Sequence, residues 1–91
     1  MSEIVYKYRL GIGPENAVSI RDADIALHVA EQGLGLYVWV LHCEPAGSRP
    51  EQSRVVLYGT GWELSKVTER RYLNTIHLGD GTVWHAFQER V

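Results

Sequence analysis

From Ile25 to Cys43 the chain reads IALHVAEQGLGLYVWVLHC, a pair of runs rich in β-branched and aromatic residues broken only by Gly33-Leu34-Gly35. Such side chains suit a pleated strand, and glycine reaches the positive φ that a tight hairpin loop demands. Along the second run Leu36, Val38 and Val40 point one way while Tyr37, Trp39 and Leu41 point the other. A strand that is apolar on both faces belongs inside a layered β structure rather than at its margin. The stretch therefore dictates antiparallel β packing.

The rest of the chain extends the pattern. Ile4 to Leu10 alternates Tyr6, Tyr8 and Leu10 against Lys7 and Arg9, and Ala17 to Arg21 alternates again before a turn at Asp22-Ala23-Asp24. Arg54 to Tyr58, Tyr72 to Leu78 and Val83 to Arg90 read as further strands. Residues 44–52 carry Pro45, Gly47 and Pro50 and read as a loop, and residues 62–71, without a helix cap, read as another. The expectation is an all-β fold, a small antiparallel sandwich or flattened barrel of about seven strands, with residues 1–91 forming one domain.

Composition narrows the function. A formal net charge of -2, with lysines and arginines scattered among acids, is a poor footprint for a nucleic acid polymer. No apolar run approaches the about 20 residues of a membrane helix, and MSEIVYKYRL lacks the basic-then-apolar layout of a signal peptide. The single cysteine, Cys43, permits no disulfide framework within the chain. A cytoplasmic protein without membrane contact is the expectation. The small size implies a thin core and favours a homo-oligomer.

The hairpins put particular side chains together. With Gly33-Leu34 as a two-residue loop, Val29 faces Val38, Leu27 faces Val40, and His28 faces Trp39. Asp80-Gly81 reads as a type I′ turn with both residues at positive φ, which opposes Leu78 to Val83 and His77 to Trp84. On that register His85 and Phe87 share a buried face with Ile76 and Val83, and Trp84 joins His77 on the opposite one. Such imidazole and indole pairs could stack a planar ligand and bond its edge, or could simply fill space between sheets.

Each residue that could carry chemistry also has a plainer role. His28, His42, His77 and His85 lack metal-ligand spacing, so no metal and no cofactor is expected. Cys43 ends an apolar strand as a small hydrophobe, and Ser48, Ser53 and Ser65 have no nucleophile-elbow context. Lys66, Arg70 and Arg71 accompany Trp62 on one segment and could hold a phosphate-bearing aromatic ligand. The plainer alternative is a solvated loop neutralised by Glu63 and Glu69.

VYKYRL (Val5 to Leu10), ALHVAEQG and LYVWVL in the long hairpin, YGTG (Tyr58 to Gly61) and TVWHAF (Thr82 to Phe87) resemble a family of small uncharacterised proteins common in bacteriophage genomes. The resemblance implies a phage-encoded all-β accessory protein without an assigned activity. The functional expectation is non-catalytic capture of a small, planar, anionic ligand, such as a nucleotide-derived host-defence signal. Its site residues would be Trp62, Lys66, Arg70, Arg71, His28, Trp39, His77 and Trp84. The alternatives are a module that binds a host protein or sits in the virion, and a metal-dependent enzyme.

Overall fold

A computed structural model describes residues 3–21, 23–43 and 51–90, without the side chains of 43, 51 and 52. The elements are β1 (Glu3–Leu10), a 3-10 turn (Pro14–Asn16), β2 (Val18–Arg21), β3 (Ile25–Gln32), β4 (Gly35–Cys43), β5 (Glu51–Gly59), β6 (Glu69–His77) and β7 (Val83–Arg90). They form two open antiparallel sheets: a three-stranded one in the order β1-β4-β3 and a four-stranded one in the order β2-β5-β7-β6. The fold is a β-sandwich. The loop read at 44–52 lies largely outside the described residues, as does the side chain of Cys43.

Between the sheets Leu10, Ile20, Ala26, Val29, Val38, Val40, Val55, Leu57, Ile76 and Ala86 make one buried cluster. Each comes from the inward phase of its strand, the period-of-two consequence of pleating. Beyond the sequence reading, β5 starts at Glu51 and β6 at Glu69. There Arg21 pairs with Glu51, and Glu69 to Arg71 pair with Arg90 to Gln88, so neighbouring strands extend both ladders where local propensity is weak.

The β3–β4 hairpin turns at Gly33-Leu34, with Gly33 at φ 62 and Gln32 opposite Gly35. Val29 opposes Val38 and His28 opposes Trp39. A bulge at Leu27 then places Ala26, not Leu27, opposite Val40. Leu27 is exposed and Ala26 is buried, so the bulge brings a small residue into the core at that level.

The β6–β7 hairpin departs from its expected register. His77 opposes Val83, Ile76 opposes Trp84 and Thr75 opposes His85. The turn is closed by Gly81 N–H to Leu78 O at 3.1 Å, with Leu78 N–H to Thr82 O at 2.9 Å. Gly79 and Asp80 are thus its central residues, and only Gly81 takes positive φ, at 88. Asp80 Oδ1 accepts from Thr82 N–H at 2.9 Å and Thr82 Oγ1 at 2.6 Å, which locks the longer loop and holds the Asp80 carboxyl below its usual range. One residue of slip exchanges the faces. Ile76, Trp84 and Ala86 point inward, while His85 and Phe87 lie on the outer face, and no His77–Trp84 pair forms.

The two sheets are sewn together along β3. Asn74 Oδ1 accepts the Val29 N–H at 3.0 Å while Asn74 Nδ2 donates to Val29 O at 2.7 Å. Gln88 Oε1 accepts from Ala26 N–H at 3.0 Å, and Arg71 Nη2 donates to Ala26 O at 2.7 Å. Side chains of β6 and β7 thereby satisfy main-chain groups that an edge strand leaves open.

Candidate functional site

The cationic segment proves largely structural. Arg70 and Arg71 are sequence neighbours on a strand, so they leave β6 on opposite faces. Arg70 Nε donates to Glu89 Oε2 at 2.9 Å and its Nη2 to Ser65 O. Glu89 also accepts from Arg54 Nε at 3.1 Å, Arg54 Nη2 at 3.0 Å and Tyr58 Oη at 2.7 Å. Its side chain is fully buried on the outer face of the four-stranded sheet, and hydrogen bonding to that carboxylate raises Arg70 above its ordinary range. Segment 60–68 roofs this network: Ser65 N–H reaches Tyr58 Oη at 3.4 Å, and Thr68 N–H bonds Arg90 O at 2.9 Å.

Arg71, on the inward face, is spent on Ala26 O and Gln88 Oε1. A cavity of about 260 Å³ at this end of the sheet is lined by Ser53, Glu69, Arg70, Arg71, Gln88, Glu89 and Arg90. Two carboxylates offset its three arginines, and Arg90 stands 3.6 Å from Glu69. That balance leaves little net attraction for an anion. Lys66 is exposed on the roofing segment.

Trp62 finds Trp84 instead of the arginines. Their rings meet edge to face at 5.3 Å and 83°. Gly59 makes room, since a Cβ there would stand 2.7 Å from Trp62 Nε1. Trp84 donates to Thr82 Oγ1 at 2.9 Å and packs against the core. His77 is exposed beside Val83, and His85 is held by Thr60 Oγ1 at 2.8 Å and Thr75 Oγ1 at 3.1 Å.

The outer face of the three-stranded sheet gathers a different set. Its register forms cross-strand rows: Val5, Leu41 and Ile25; then Lys7, Trp39 and His28; then Arg9, Tyr37 and Ala30. Trp39 and Tyr37 thus run down the central strand, flanked by a basic column on β1 and by His28 on β3. Lys7 Nζ sits 4.7 Å from the Tyr37 ring centroid and donates to Gln32 Oε1 at 2.8 Å. Arg9 is exposed and, among the described residues, engages no partner. Sequence reasoning found the His28–Trp39 pair. Lys7 and Arg9 read there only as the polar phase of an alternating strand, because the β1–β4 pairing is not local.

A second cluster escaped the sequence entirely. Asp24 is buried and accepts from Arg21 N–H at 3.0 Å and Arg21 Nη2 at 3.2 Å. His42 Nδ1 lies 3.0 Å from Asp24 Oδ2, and its Nε2 lies 2.6 Å from Tyr8 Oη. Tyr6 packs edge-on against the imidazole at 4.8 Å. The carboxylate fixes the ring and the phenol completes its bonding, a satisfied polar knot tying β1, β2, the turn before β3 and β4 together. Three strands and a turn supply it, so no spacing could reveal it. Among the described residues no group of three His, Cys, Asp or Glu could hold a metal ion, and no helix is long and apolar enough to cross a membrane.

Over residues 1–91 the chain matches the family described as Domain of unknown function (DUF7352), and it belongs to that family. No curated protein matches it, and no solved structure does.

Proposed function

We propose that this protein is a non-catalytic binding module that captures a small, planar, anionic ligand of nucleotide type on the outer face of the three-stranded sheet. The observation that carries the proposal is the juxtaposition of Trp39 and Tyr37 with the exposed guanidinium of Arg9, which engages no partner among the described residues. Aromatic rings on a sheet surface stack a base, at about 1–3 kcal/mol per base. A guanidinium pairs with phosphate through parallel N–H donors. His28, across from Trp39, supplies an edge donor or acceptor. The finer identity, a phage-type accessory protein that sequesters a host-defence signal in the host cytoplasm, draws its support from the motif resemblance.

Calorimetric titration against cyclic and ADP-ribose-type nucleotides tests the proposal. At least one should bind more tightly than about 1 mM, or −4.1 kcal/mol, and Arg9→Ala and Trp39→Ala should each abolish that binding. Binding that survives both substitutions, or none tighter than that limit, sinks it. A host protein is the competing partner, favoured by the apolar row Val5–Leu41–Ile25, in which Val5 and Ile25 are exposed. Stoichiometric capture of one host protein, undone by Val5→Asp, would select it.

A further inference from the structure

We propose that β1 is the assembly edge of this protein, pairing antiparallel with β1 of a second copy about a two-fold axis at Tyr6. The edges of the two sheets are not equivalent. At β3, Asn74, Gln88 and Arg71 occupy main-chain groups of Ala26 and Val29. β2 is four residues long and irregular at Ile20/Arg21, and β6 is broken by the bulge between Tyr72 and Asn74. β1 runs eight residues in unbroken register with β4, and it carries neither proline nor bulge. Ile4, Val5 and Tyr6 are 43%, 52% and 47% exposed along it. A long, regular, apolar edge is a template for strand addition.

The charge pattern selects the occupant. β1 reads EIVYKYRL, acidic at its start and basic toward its end, which is self-complementary only when two copies run antiparallel. Residues directly opposite share a sheet face. Centred on Tyr6, the pairing sets Glu3 against Arg9, Val5 against the stem of Lys7, Ile4 against Tyr8, and Tyr6 against its own copy. Moving the centre to Lys7 would put two ammonium groups face to face. The chosen register also joins two three-stranded sheets into one of six strands, with both Trp39–Tyr37 columns on the same surface. Arg9 of each copy then lies opposite Glu3 of the other, so the seam and a ligand phosphate would share that guanidinium; sedimentation reads the dimer and titration reads the ligand, so either can fail alone.

Val5 makes the register testable, because it is exposed in the single chain and faces Lys7 of the partner only in this arrangement. Sedimentation equilibrium of the full chain at roughly 100 μM, where a micromolar complex is saturated, should show a dimer. Val5→Glu should then dimerise about tenfold more tightly than Val5→Lys, since two symmetry-related pairs change from repulsive to attractive. In Val5→Lys, adding Lys7→Glu should restore the dimer. A wild-type monomer at that concentration overturns the proposal. So does equal weakening by Val5→Glu and Val5→Lys, the signature of a Val5-centred register.

Discussion

Glu89→Ala is the substitution that most directly tests how the four-stranded sheet is held under its roof. The carboxylate accepts hydrogen bonds from Arg54, Tyr58 and Arg70, and its side chain has no exposure. Deleting it leaves two guanidinium groups facing each other across a void, together with the Tyr58 hydroxyl. Breaking a buried pair by removing one partner costs about 3–5 kcal/mol. The arginine side chains are 23% and 24% exposed, so they recover some hydration and the lower end applies. About 3 kcal/mol is the expected loss, equivalent to roughly 12–24 °C in Tm for a domain of this size. Glu89→Gln retains the shape and part of the bonding and should fall between the two. Thermal and urea unfolding followed by far-ultraviolet circular dichroism measures both. A Glu89→Ala protein within about 1 kcal/mol of wild type would show that the network is a solvated surface pair and that the roof does not depend on it.

Two more outcomes follow from the same geometry. Asn74→Ala strips the Val29 N–H and C=O of their partners and should cost about 2 kcal/mol, with faster hydrogen exchange at Val29 and a new tendency to aggregate; unchanged protection at that amide refutes the sealing role. Asp80 has its folded-state carboxyl lowered by bonds from Thr82, so its contribution is present above the ordinary carboxylate range and is lost as pH falls through the lowered value. The hairpin amide of Thr82 should shift over that acidic window by NMR, and Asp80→Asn should abolish the shift.

The legible parts of the fold were those governed by neighbours in sequence. Gly33-Leu34-Gly35 admits a two- or a three-residue loop; the two-residue one yields the Val29–Val38 and His28–Trp39 pairs that form, while the bulge at Leu27, which nothing local announces, displaces the expected Leu27–Val40 pair. Asp80-Gly81 admits either a two-residue turn or the latter half of a longer one. The side-chain bonds of Thr82 to Asp80 chose between them, and with that choice Phe87 moved to the outer face, between Tyr58 and Tyr72. Glu89 carries no local mark of its role, since the arginines of β5 and β6 that bury it lie 35 and 19 residues away in sequence. The surface column of Lys7 and Arg9 beside Tyr37 and Trp39 depends on pairing strands about thirty residues apart in sequence, which periodicity alone cannot supply.

The stitching of β3 has a consequence for how the chain is made. Val29 waits for Asn74, 45 residues downstream, and the Ala26 N–H waits for Gln88, 62 downstream. On a ribosome adding about 5–20 residues per second, the three-stranded sheet is complete in sequence for several seconds before those side chains emerge. During that interval both of its margins are bare, and β3 can be claimed by a neighbouring nascent chain. The time at which the edge closes is therefore set by translation of the β6–β7 hairpin, so slowing synthesis between Cys43 and Asn74 should lower the soluble yield without altering a single contact of the finished protein.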